Sequence, residues 1–194
     1  MNQLQEIIFK YTNIYIPPAT HIFDSTLDII ENSILVLDTP KSVDVENYVL
    51  QIQNHLLNVQ VLATLFINGS EALFSHLSNF GTGVVVTEEV AHKIVEEYYH
   101  QTPKEILAVT GTFGKTSTTI FLYELLCAMG VKASMVGTLG LRGLEGNLLK
   151  THRNTTPSWI SLKRILHMSK ENNINTTVIE VSTHGIGKKN STSR

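Results

Sequence analysis

The sequence predicts an α/β protein: a small α/β amino-terminal domain over residues 1–102, followed by an incomplete P-loop-type parallel α/β domain over residues 103–194. Three observations predict it. Short β-branched runs alternate with stretches of helical periodicity before residue 100. A Gly-containing turn, Gly111 to Ser117, stands between an apolar run and a helical pattern. A polar break with a proline, His100-Gln101-Thr102-Pro103-Lys104, separates the two parts.

The elements follow in chain order. Ser33-Ile34-Leu35-Val36-Leu37, Leu62 to Ile67 and Gly83 to Thr87 are short, β-branched and bounded by turn residues, the signature of buried strands. Between and after them, Val45, Tyr48, Val49, Ile52 and Leu56 share one helical face, as do Val90, Ile94, Val95 and Tyr98. Beyond the break, Ile106-Leu107-Ala108-Val109 is predicted as a buried strand and Thr116 to Met129 as a helix stopped by Gly130. Ala133 to Val136 is a further strand. Pro157 after Thr156 suits a helix start, with Thr156 as the cap and Trp159, Leu162, Ile165 and Leu166 spaced to pack inward. Thr177 to Ser182 returns to a strand.

Composition narrows the function classes. Hydrophobic residues make up 42% and charged residues 16%, which is globular rather than disordered. The formal charge is -2 with the basic residues scattered, so neither nucleic acid nor an anionic membrane is expected as a partner. No apolar stretch approaches bilayer length, and Met1 to Glu6 lacks the basic start of a signal peptide, so a cytoplasmic location is expected. Cys127, the single cysteine, falls in an apolar helical pattern and is expected to be a buried spectator.

The chemistry concentrates in Gly111-Thr112-Phe113-Gly114-Lys115-Thr116-Ser117. A helix amino terminus offers unpaired N–H groups, and glycines let that backbone approach an anion. Lys115 would set a positive charge against the outer phosphates of ATP, and the Thr116 hydroxyl would coordinate Mg2+. The general phosphate-loop pattern wants a glycine where Val109 stands; here the extra glycine is Gly111.

Ala108 to Ser117 resembles the ATP loop of the Mur ligases, whose variant has its first glycine at the place of Gly111. Asn154-Thr155-Thr156-Pro157 and Glu180-Val181-Ser182-Thr183-His184-Gly185 resemble the paired motifs of the UDP-N-acetylmuramoyl-tripeptide synthetases within that family. The resemblance implies an ATP-dependent amide ligase that adds the third amino acid of a peptidoglycan precursor, with Lys115 catalytic. It implies that Asn154, Thr155, Thr156 and Ser182 contact UDP-N-acetylmuramoyl-dipeptide, and that Glu180 holds magnesium with Thr116. Phe23-Asp24-Ser25 before Ile34-Leu35-Val36 resembles the family's uridine-binding turn and strand, which would make Ser25 a substrate contact; Thr26 replaces the family's arginine.

Taken alone, Glu180 is also a paired carboxylate at a strand end, His184 a surface histidine, and Ser25 part of a plain turn. The family's glutamine and arginine after His184-Gly185 are replaced by Lys188 and Asn190, and its carboxyl-terminal domain has no counterpart. The chain is therefore expected to correspond to the amino-terminal portion of such an enzyme. A non-catalytic nucleotide-binding module stays open beside the ligase, as does a folylpolyglutamate- or cyanophycin-synthetase-like ligase. About three strands after Lys104 make a thin sheet, from which self-association is expected.

Overall fold

The structure, a computed structural model, describes residues 1–25, 29–38, 45–56, 59, 61–67, 76–77, 81–144 and 156–182. The chain divides into two compact units, one through His100 and one from Gln101. Among the described residues no helix is long and apolar enough to cross a membrane.

The first unit opens with helix α1 (Gln3–Thr12), then strands β1 (His21–Phe23) and β2 (Ser33–Asp38), helix α2 (Val45–Leu56), strands β3 (Val61–Ile67) and β4 (Thr82–Val86), and helix α3 (Glu88–Tyr98). The four strands pair in sequence order, all parallel. Strand alternation sorts β2 between two faces. Leu35 and Leu37 join Val49, Ile52 and Leu56 of α2 in one apolar cluster with Phe23, Val61 and Phe66, while Ile34 and Val36 are buried outside it.

Strand β1 escapes the periodicity reading because pairing defines it more than pattern, whereas helix α1, not singled out from the sequence, does carry the spacing, with Leu4, Ile7 and Ile8 buried on one face. Asn2 caps α1 in a capping box with Gln5, and Asn13 closes it in the left-handed region at φ 56°. The three residues of β1 are a strand because they pair in register with Ser33, Ile34 and Leu35.

The second unit runs β5 (Glu105–Val109), α4 (Lys115–Ala128), β6 (Ala133–Gly137), β7 (Gly140–Arg142), α5 (Trp159–Glu171) and β8 (Thr176–Glu180). Its sheet order is β5-β8-β6-β7, parallel except for the β6–β7 hairpin. That hairpin adds a strand too short for periodicity to reveal. Ile165 and Leu166 of α5 pack on Val136 and Ile179, with Val181 and Leu162 at the margin. On the same pleat, the buried hydroxyl of Ser134 bonds those of Thr177 and of Ser169 in α5 at 2.9 and 3.0 Å.

Three expectations need correction. The strand β5 is not buried: it lies at the sheet edge, and Ile106 is 45% exposed. Cys127 is exposed rather than a core spectator, because α4 leaves Phe121, Leu125 and Met129 exposed as well and buries only Thr119. Thr156 does not cap α5; the N-cap is Ser158, whose hydroxyl accepts from Ser161 N at 3.2 Å. The stop at Gly130 has a clear cause. Gly130 takes φ 78°, and Val131 N–H reaches back to the Leu126 carbonyl and Gly130 N–H to that of Cys127, both at 2.9 Å.

Candidate phosphate and cation site

Strand β5 ends at Val109 and α4 begins at Lys115, so residues 110–114 form a loop that delivers the helix amino terminus to the carboxyl end of the sheet. Gly114, the N-cap, is left-handed at φ 75° and has no side chain to cap α4. The first-turn N–H groups are therefore not capped by a side chain, the arrangement that favours an anion. Phe113 at the loop tip is 93% exposed.

Lys115 lies back along the loop. Its Nζ donates to the Gly111 carbonyl at 2.9 Å and the Thr112 carbonyl at 3.4 Å. Such contacts hold the ammonium beside the loop that would receive phosphate. Ser117 follows in the first turn of α4.

The register of β5 and β8 sets the second half of the site. Val109 pairs with Glu180, so the carboxylate stands across from the residue that leads into the loop. Alternation directs Val178 and Glu180 to the pleat opposite Thr177 and Ile179, which face α5. On that side Thr116 Oγ1 donates to Glu180 Oε1 at 2.6 Å. Glu180 is 1% exposed, and its Oε2 accepts Thr138 N–H at 2.8 Å.

Thr156 meets the end of the same strand. Its Oγ1 accepts Ser182 N–H at 2.8 Å, shares a hydrogen bond with Ser182 Oγ at 3.1 Å, and lies 3.5 Å from the Glu180 carbonyl. The hydroxyl that sequence reasoning offers to a helix cap is instead joined to the other motif.

Placement of the remaining candidates is uneven. Ser25 lies in the first unit, just after β1. Asn154, Thr155, His184, Lys188 and Asn190 lie outside the described residues. Sequence reasoning missed Gly137 and Thr138, which border Glu180; a glycine ending a strand is too common a signal to single out.

The donor set bears on which cation could sit here. Among the described residues no group of three or more His, Cys, Asp or Glu is placed to hold a metal. Thr116 and Glu180 supply two hard oxygens 2.6 Å apart. That fits magnesium, which takes one or two protein oxygens and completes its shell with phosphates and water, better than zinc, which is held by three or four protein ligands, commonly His and Cys.

Comparison with known proteins agrees in one direction. Residues 109–194 match the Mur ligase middle domain. The UDP-N-acetylmuramoyl-L-alanyl-D-glutamate--2,6-diaminopimelate ligase of Rickettsia felis is 28% identical over 163 residues, which is 81% of this chain and 29% of that protein. The ligase of the same name from Buchnera aphidicola subsp. Schizaphis graminum is 42% identical over 82 residues, 42% of this chain and 16% of that protein. A solved structure of a ligase of this name superposes with a TM-score of 0.54 at 18% identity, covering 92% of this chain and 36% of that one, a likeness of fold. The chain thus spans less than a third of these two relatives' lengths.

Proposed function

We propose that this chain, a relative of the Mur ligases through residues 109–194, binds ATP with magnesium as the nucleotide-activating part of a peptidoglycan-precursor amide ligase. The carrying observation is the 2.6 Å contact between Thr116 Oγ1 and Glu180 Oε1 beside the amino terminus of α4. It joins two motifs 64 residues apart in sequence into one oxygen-rich corner next to a phosphate loop.

In this reading Gly111 to Ser117 receive the phosphates, and Lys115 exchanges its two carbonyl contacts for phosphate oxygens. Thr116 and Glu180 would hold the magnesium ion, which when bound offsets charge on the phosphates. The substrate is a UDP-N-acetylmuramoyl-dipeptide held in part by Asn154, Thr155, Thr156 and Ser182, with Ser25 toward the uridine. Its carboxylate attacks the γ-phosphorus of ATP, ADP leaves, and an amine displaces phosphate from the resulting acyl phosphate. Lys115 acts at the first step by stabilising charge on the transferring group. The amino acid added would be the third of the peptide, and the setting cytoplasmic. Self-association through the open edge at β5 belongs to the same proposal.

The test is calorimetric titration of ATP with magnesium into the 194-residue chain and its Lys115→Ala variant, then of UDP-N-acetylmuramoyl-dipeptide. Binding in the parent weakened roughly tenfold or more in the variant, the scale of one hydrogen bond to a charged group, is expected. Well-folded protein that binds no nucleotide would sink the proposal. Nucleotide binding without release of ADP in the presence of both substrates would favour the non-catalytic module.

A further inference from the structure

Strand β6 ends at Gly137, and the chain reverses through Thr138 and Leu139 into β7, with the left-handed residue of the turn at Gly140, φ 87°. Parallel register sets Val136 beside Ile179, which carries Gly137 alongside Glu180. A Cβ at position 137 would stand 2.5 Å from Glu180 Oε2 and 2.7 Å from Glu180 Cβ. The second contact matters more, because Cβ is fixed to the backbone of the central strand and no rotamer change relieves it. Only glycine leaves the carboxylate its place without moving β6 or β8.

The next residue then supplies the restraint. Thr138 N–H donates to Glu180 Oε2 at 2.8 Å, and Oε1 is left to meet Thr116. A carboxylate turns about its last torsion in a broad, two-fold well, so a charge-assisted bond to one oxygen also sets the direction of the other.

We propose that Gly137 and the backbone N–H of Thr138 are positioning residues for the cation site: the glycine makes room for Glu180, and the N–H aims Oε1 at the phosphate loop. This rests on the reading of Thr116 and Glu180 as the magnesium-holding pair. The turn contributes no ligand of its own, and its effect is on how strongly magnesium tightens nucleotide binding.

The test compares ATP affinity in EDTA with affinity in excess magnesium for the parent chain, Thr138→Pro, Thr138→Ala, Gly137→Ala and Glu180→Gln. The electron paramagnetic resonance signal of Mn2+ bound with ATP is the spectroscopic readout. Neither Thr138 nor Leu139 has a positive φ, and the first central position of such a turn accepts proline. Thr138→Pro removes the N–H and sets its ring Cδ where that hydrogen met Glu180 Oε2, so the carboxylate loses its restraint and must turn away, whereas Thr138→Ala keeps the N–H. Retained ATP binding in EDTA shows that each variant is folded at the loop. Expected is a loss of roughly tenfold in the magnesium enhancement for Thr138→Pro and Gly137→Ala, with an altered Mn2+ signal, and parental behaviour for Thr138→Ala. A parental enhancement in Thr138→Pro, alongside its loss in Glu180→Gln, would overturn the positioning role and leave the cation site standing. No enhancement in the parent chain would remove the cation site and this proposal together.

Discussion

Thr156 shows how one hydroxyl can be claimed by two kinds of structure. Its sequence setting, Thr-Pro before an apolar pattern, is that of a helix cap, yet the cap passes to Ser158 and Thr156 Oγ1 accepts from Ser182 N–H instead. Helix-start chemistry is local and legible; the partner comes from 26 residues away, and only packing of α5 beside β8 brings it near. Replacing Thr156 with Val keeps the shape and removes the acceptor, leaving the Ser182 N–H and Oγ without it. Urea unfolding should register a loss of about 0.5–1.5 kcal/mol, the net worth of an ordinary hydrogen bond. A change under a few tenths would mean that water replaces the contact fully. Glu180 is the same lesson in reverse, since a strand-end carboxylate can be read from sequence but its 1% exposure and two donors cannot.

At the scale of elements, two glycines matter for different reasons, Gly114 in the loop before α4 and Gly137 at the end of β6. Gly114 stands in open space, with nothing within 4 Å of an added Cβ, but takes φ 75°. Gly137 is the steric case already described. Gly114→Ala should thus cost only the left-handed penalty, about 1–2 kcal/mol, and weaken ATP binding as the loop relaxes. A melt and a nucleotide titration on one sample separate the two effects. In the first unit, α1 and α3 are tied by Lys10 and Tyr11, which donate to Glu97 at 2.7–3.0 Å. The Lys10 ammonium first, and the Tyr11 hydroxyl second, hold the Glu97 carboxyl below the ordinary carboxylate range. A depressed folded value contributes stability above the ordinary range and loses it as pH falls through the folded value. Glu97→Gln should therefore be less stable than the parent at neutral pH and converge with it in acid. The pair is exposed, so the gap is small and shrinks with added salt. Equal stability of the two proteins at neutral pH in low salt would exclude this contribution.

For the whole molecule, the decisive feature among the described residues is the exposed edge of the second sheet. Strand β5 is that edge, with Ile106 45% exposed, and Phe121 and Leu125 of α4 and Met129 at its end are also exposed at 71%, 44% and 70%. An open strand edge and exposed apolar side chains favour association. Sedimentation velocity should show concentration-dependent assembly, reduced by Ile106→Lys and Phe121→Glu together; a monodisperse monomer at all concentrations would refute it. How far these properties are legible before folding depends on the range of the forces behind them. Strand and helix patterns, the phosphate loop and the three family-like motifs are short-range records, because alternation, helical spacing and a Gly-Lys-Thr turn act over a few residues. The pairing of Thr116 with Glu180, the space at Gly137, the exposure of Cys127 and β5, and the capture of Thr156 by Ser182 belong to the folded chain alone. Each depends on register between strands distant in sequence and on which face a neighbouring helix covers, and neither quantity is written in any local stretch of residues.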